Sequence, residues 1–163
     1  MAKRSKTAIK KGNGSKNPNA LMAKQLVLVL SDTYVLAVKL HGYHWNVRGP
    51  NFAPLHAFFG EQYNALFEAA DDIAERVRAL GHMPDGSMDS FLQNTVIKEA
   101  GAKALTSNEM LKDLLNSHQL LRDRLVQSED LADELDDVGT QDLMVERLRY
   151  HDKIMWMIRS HIG

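Results

Sequence analysis

The 163-residue chain contains no cysteine. That excludes disulfides, thiolate metal sites and a cysteine nucleophile, and it is compatible with a reducing compartment. Proline is scarce, and the four residues, Pro18, Pro50, Pro54 and Pro84, each fall where a segment starts or turns. Long apolar runs are also missing. The longest, around Gln25 to Leu30, is interrupted by Ser31 and Asp32 and is too short to cross a bilayer core of about 30 Å. The basic first residues are not followed by an apolar stretch ending in small residues, so no secretory signal is read. The expected location is therefore cytoplasmic, with no membrane association. Strand signals and internal repeats are absent too.

Charge is balanced overall, at a net −1, but unevenly distributed. Up to Pro18 the chain holds Lys3, Arg4, Lys6, Lys10, Lys11 and Lys16 and no acid. Those six charges leave about −7 on the remainder, so the two parts should behave differently toward polyanions. Residues 1–18 are rich in Lys, Gly, Ser and Asn and have little to bury, which predicts a flexible basic tail. Residues 19–163 form the expected folded domain.

From Asn19 onward, Leu26, Leu30, Thr33, Ala37, Leu40 and His44 recur at helical spacing, predicting a first long helix that ends near Val47. Arg48-Gly49-Pro50-Asn51 reads as a turn. Pro54 suits the first turn of a second helix, where its missing N–H costs nothing; this helix should stop at Gly81. A connector with Pro84 and Gly86 follows, with a short helix around Ser87 to Val96. Thr106-Ser107-Asn108-Glu109 is a capping box that opens a third long helix, running to about Leu135. Gly139-Thr140 is expected to break the chain before a fourth. The fold class is all-α: a four-helix bundle with a short helix in the crossover between the second and third long helices.

The second helix carries two faces that look buried. Leu55, Phe59, Gln62, Leu66, Ala69, Ile73, Val77 and Leu80 should pack into the bundle. His56, Gly60, Tyr63, Phe67, Asp71 and, one step round, Glu75 form another face, more than one small bundle can cover, which points to a second copy of the chain. His44, His56, Asp71 and Glu75 are candidate metal ligands, because imidazole with carboxylate suits Fe, Mn or Zn. His56 and Asp71 lie fifteen residues apart on one helix, roughly 22 Å at 1.5 Å per residue, so they cannot hold one ion within one chain. Two copies paired antiparallel about a two-fold axis near Tyr63 and Asn64 would bring His56 of one to Asp71 of the other.

The stretch His41-Gly42-Tyr43-His44-Trp45-Asn46-Val47-Arg48-Gly49-Pro50-Asn51-Phe52, then Leu55-His56, Glu61-Gln62-Tyr63 and Ala70-Asp71-Asp72-Ile73-Ala74-Glu75-Arg76, closely resembles the signature of the Dps family, the miniferritin branch of the ferritin-like superfamily. Asp152-Lys153-Ile154-Met155-Trp156-Met157 in the last helix is similar to that family as well. The resemblance implies a ferritin-like bundle and a dodecameric shell that oxidises Fe(II), typically with hydrogen peroxide, stores ferric mineral and protects DNA. It implies iron held between subunits by His44 and His56 of one and Asp71 and Glu75 of its neighbour, with Zn or Mn as substitutes. It implies that Trp45 takes up a stray oxidising equivalent. Asp137, Asp142 and Glu146, near the start of the last helix, would line an acidic three-fold pore for iron entry. The basic tail, repeated around the shell, would bind DNA without sequence preference and place the protein with the nucleoid. A different class of function also fits the residues: a DNA-compacting structural protein with little or no iron chemistry. The sequence departs from the family at Gly60, where a carboxylate is usual. The glycine is expected to give room to Phe67 of the second copy, and to thin the ligand set.

Overall fold

The computed structural model describes residues 17–163, which form five helices: α1 (Pro18–Asn46), α2 (Phe52–Ala79), α3 (Met88–Asn94), α4 (Ser107–Glu134) and α5 (Val138–Ile162). The basic positions expected to bind DNA, Lys3, Arg4, Lys6, Lys10, Lys11 and Lys16, lie outside the described residues.

Local signals place most helix ends. Pro18 occupies the first turn of α1 rather than closing the tail, and the Asn17 side chain accepts the Asn19 N–H at 3.1 Å. Between α1 and α2 the chain turns at Gly49 (φ 109°), and beyond α2 it turns at Gly81 (φ 87°), both in the left-handed region that favours glycine. Ser87 caps α3 by accepting the Ser90 N–H. Thr106 and Glu109 form the expected capping box of α4.

The break before α5 is not where glycine placed it. The chain turns at Asp136, in the left-handed region at φ 55°, and Asp137 caps α5 by accepting the Thr140 N–H at 3.1 Å. Gly139 and Thr140 are already helical. Gly139 serves packing instead, since a Cβ there would lie 3.2 Å from the Arg76 guanidinium of α2.

α1 packs along α2, and α4 along α5; the two hairpins meet mainly through α1 and α4, while α2 and α5 barely touch. Leu26, Leu36, Leu40, Leu55, Phe59, Leu66, Ile73, Leu114, Leu121, Leu125 and Met144 fill the core. The predicted inner face of α2, from Leu55 through Leu80, is buried along its whole length. At 29 residues, with an 18-residue stretch of mean hydropathy 1.5, α1 is long and apolar enough to cross a membrane, a property that unbroken apolar runs alone do not reveal. Most of its apolar side chains are committed to this core, and Ser31 and Asp32 are fully buried with them.

Several buried charges tie the bundle together. Asp32 accepts hydrogen bonds from Thr95 Oγ1 and the Val96 N–H, both at 2.8 Å, and pairs with Arg124 Nε at 2.5 Å, a contact poorly aligned for a further hydrogen bond. It thereby fastens the crossover after α3 to α1 and α4. Burial raises its pKa, against the opposing pull of these donors. Lys39 bonds Asp113 at 2.8 Å and Ser117 at 3.0 Å, and Tyr43 donates to the same Asp113 oxygen.

Candidate functional site

His44 near the end of α1 and His56 in the first turns of α2 face each other across the α1–α2 turn. Their rings stack at 3.6 Å between centroids, 23° from parallel. His44 Nδ1 lies 2.7 Å from the His56 carbonyl oxygen, and His56 Nδ1 lies 2.8 Å from the His44 carbonyl oxygen. A carbonyl can only accept, so each Nδ1 carries a proton, and in the neutral imidazole the lone pair is then on Nε2. That is the tautomer a metal-binding imidazole needs, fixed by the same kind of outer hydrogen bond that orients histidine ligands generally.

Gly60 closes the back of this pair. A Cβ there would lie 3.3 Å from both Cε1 and Nδ1 of His44. Within one chain, then, the ring that needs the space is His44. The expectation had assigned that space to Phe67 of a second copy.

Asp71 and Glu75 are exposed and stand on α2 well beyond the histidines, as the helical rise requires. Neither makes an ion pair among the described residues, where Arg76 turns to Asp137 instead. Asp71 lines a cavity of about 260 Å³ with Tyr34, Phe67, Pro84 and Phe91. No three metal-ligating side chains converge among the described residues of one chain. The outer face of α2 is half-covered at His56, Tyr63 and Phe67, intermediate between core and surface.

Buried and partly buried cations line the interior of the bundle. Lys39 is 3% exposed and pairs with Asp113, Arg124 is partly buried and pairs with Asp32, and Arg147 is 9% exposed. Arg147 lies over the Tyr150 ring at 4.4 Å, and burial lowers its pKa. The Tyr150 hydroxyl, buried without a hydrogen-bond partner among the described residues, is pushed up to about 12 by that burial. The two interior imidazoles, His118 and His151, bond each other and Gln62. These were not singled out from sequence, although a signal exists: His118 falls in the apolar series Leu111, Leu114, Leu121, Leu125, and Arg147 and His151 fall in Met144, Ile154, Ile158.

Trp45 is 66% exposed and packs on His41, with ring centroids 4.3 Å apart. It borders a cavity of about 590 Å³ with Arg48, Lys103 and Met110. At the start of α5, the Asp137 carboxylate is engaged by Arg76 at 2.5 Å and by Thr140 Oγ1 at 2.6 Å. These bonds, together with the Arg76 charge, hold its pKa below the usual carboxylate value in spite of burial, the largest and opposing influence. Asp142 and Glu146 are exposed, one turn apart.

An all-helical bundle with a crossover helix and a histidine pair at one hairpin end defines a ferritin-like protein, and the ferritin-like domain model matches residues 23–163. A low-temperature-induced protein of Nostoc sp. is 42% identical over 134 residues, covering 82% of this chain and 75% of its own length. The DNA protection during starvation protein of Listeria innocua is 35% identical over 130 residues, covering 79% and 83%. The crystal structure of a Dps protein from Bacillus brevis superposes with a TM-score of 0.87 at 34% identity, covering 91% of this chain and 99% of that one. A Dps protein from Vibrio cholerae O1, described as a member of a broad superfamily of ferritin-like diiron-carboxylate proteins, gives 0.86 at 28% identity, covering 98% and 100%. The chain belongs to the Dps family of ferritin-like proteins.

Proposed function

We propose that this chain is a subunit of an iron-storing, DNA-protecting shell in the cytoplasm, and that it oxidises Fe(II) at sites shared between two copies. The observation that carries the reading is the reciprocal pair of Nδ1–carbonyl contacts between His44 and His56, which leaves two Nε2 lone pairs available on one half-site. Asp71 and Glu75 of a second copy supply the anionic half. In support stand their exposure, the absence of an ion pair to either among the described residues, and the half-covered face of α2 that a second copy would close. The Listeria relative is named for DNA protection and the Vibrio relative belongs to a superfamily of diiron-carboxylate proteins, in agreement with this chemistry.

Iron is the substrate and cargo; Zn and Mn would compete for the same nitrogen and oxygen donors. Hydrogen peroxide, accepting two electrons, is the proposed oxidant. With no carboxylate at Gly60, one iron per site is well held and a second position is weak. Since the glycine also accommodates the His44 ring, its presence does not favour the DNA-compacting reading over the enzymatic one. In a dodecamer, Asp142 and Glu146 would ring the iron-entry pore, with Asp137 serving chiefly to cap α5. Residues 1–18 would act as a DNA-binding tail on a folded domain of residues 19–163.

Anaerobic titration with Co(II), followed by its visible absorption, tests the site directly. The unmodified protein should bind one tight equivalent per site, and His44→Ala should abolish it. Tight binding that survives His44→Ala would refute the assignment. Mixing with Fe(II) and peroxide then tests the reaction.

A further inference from the structure

Arg76 of α2 meets Asp137 at the start of α5, and Phe58 of α2 meets His161 at its end, so these two helices run antiparallel. Between those ends they barely touch. A cavity of about 260 Å³ lies in the gap, lined by Glu61, Gln62 and Ala65 of α2 and by Tyr150, Lys153 and Ile154 of α5. Arg147 stands one turn before Tyr150, with its guanidinium over the Tyr150 ring. Its side chain is more than nine-tenths buried, its Nη2 has no hydrogen-bond partner, and no ion pair reaches it among the described residues. The Tyr150 hydroxyl is buried without a partner among them as well. Elsewhere the bundle neutralises such cations, Lys39 with Asp113 and Arg124 with Asp32. Glu61, Asp72 and Glu146 act on Tyr150 or Arg147 through their charge, but all three are exposed and none closes to an ion pair.

We propose that the gap between α2 and α5 binds inorganic phosphate, held by donors from Arg147, Tyr150 and Lys153. A buried charge left unpaired is costly, and a bound anion removes that cost as a carboxylate would. A guanidinium and an ammonium can only donate, and the phenol O–H donates beside them. A tetrahedral oxyanion meets all three, because it presents several acceptor oxygens at once. The cavity lies below the roughly 300–1,000 Å³ of pockets for organic ligands, so its size suits a small ion. Glu61 on the same wall is an acceptor only and sets the choice of anion. It repels a fully ionised oxyanion but accepts a hydrogen bond from one that keeps a proton. Phosphate keeps a proton at neutral pH and sulfate does not, so the site favours phosphate. None of these residues belongs to the iron site, and the inference stands apart from the iron-oxidising reading.

The test titrates the full-length, metal-free protein with inorganic phosphate by calorimetry, and with sulfate at matched ionic strength. The basic first residues are kept in every variant, so their contribution is common to all. The unmodified protein should bind one phosphate per chain and unfold at a higher temperature when it is present. Tyr150→Phe, which removes only the hydroxyl, should weaken phosphate binding about tenfold or more. Arg147→Met should abolish it, and should abolish the thermal shift too. Glu61→Gln should bind sulfate nearly as well as phosphate, whereas the unmodified protein should strongly prefer phosphate. Unchanged phosphate affinity in both Tyr150→Phe and Arg147→Met would place the binding elsewhere and overturn the assignment. No phosphate binding by the unmodified protein would overturn it outright. Equal thermal shifts from phosphate and sulfate, in the unmodified protein and Arg147→Met alike, would be a general salt effect and also overturn it.

Discussion

His118 of α4 and His151 of α5 face each other Nδ1 to Nδ1 at 2.9 Å in the middle of the bundle, and one proton orientation satisfies them. Gln62 donates its amide N–H to the Phe58 carbonyl, so its Oε1 faces His118 Nε2 at 3.1 Å. His118 must then be protonated at Nε2, and His151 must donate to it from Nδ1. Both rings are neutral. Burial, aided by Arg147 and, for His118, Lys39, lowers the His118 pKa to about 3 and drives that of His151 well below its ordinary value.

This pair predicts an acid weakness with a definite window. Above pH 6.5 folded and unfolded chains hold the same protons at these sites. Below 6.5 only the unfolded chain takes them up, so stability falls as pH drops, until the folded pKa of His118, about 3, is reached. Each histidine contributes a slope of about 1.4 kcal/mol per pH unit. Urea unfolding at pH 6.5 and 5.0 should show this slope in the unmodified protein and a clearly shallower one in the His118→Leu, His151→Leu double variant. Equal slopes would mean the pair is not buried neutral.

Gly60→Ala separates two opposed effects. Alanine in a helix interior gains about 1 kcal/mol over glycine. Its Cβ would press on His44 at 3.3 Å, and overpacking of this kind costs about 1–3 kcal/mol. Thermal stability should therefore change little or fall slightly, while Co(II) affinity drops because the His44 ring is displaced. Gly60→Asp should disturb His44 in the same way, against any gain from the added carboxylate. A variant more stable by the full helix-propensity gain, with unchanged Co(II) affinity, would show that His44 does not need the space.

Asp137 and the pair Asp142, Glu146 should respond differently to neutralisation. Asp137 caps α5 and engages Arg76 and Thr140. Losing a cap costs typically about 1 kcal/mol, so Asp137→Ala should lower the unfolding midpoint measurably. Asp142→Asn with Glu146→Gln should leave the midpoint unchanged and slow iron uptake into the shell, read as the rate of mineral formation. Unchanged uptake would remove the pore assignment.

The helices were legible because their ends carry chemistry that acts locally: proline in the first turn of α2, glycine at positive φ beyond α2, a capping box before α4. The start of α5 was misplaced because Gly139 looks like a breaker. Its reason for being there, Arg76, is 63 residues away, and the real turn uses Asp136, which tolerates the left-handed conformation. At the site, the separation of His56 from Asp71 could be read from helical rise alone. The mutual capture of His44 and His56 could not, since it depends on how the two helices cross. The direction of the Trp45 ring and the interior His118–His151 pair likewise depend on packing between distant segments.

The tail can be tested apart from the metal. Deleting residues up to Lys16 should abolish DNA retardation in gels at low salt and leave iron uptake unchanged, and full-length binding should weaken steeply with added salt. Full-length protein that ignores DNA at low salt would leave the tail no such role.

The central claim is that each iron site is built from two chains, and mixed assemblies of two inactive variants test it most directly. His56→Ala and Asp71→Ala proteins should each lose fast Fe(II) oxidation by peroxide. Shells reassembled from both, and verified as mixed, should regain part of it, because some interfaces then pair intact histidines with intact carboxylates. No recovery in verified mixed shells would contradict the shared site.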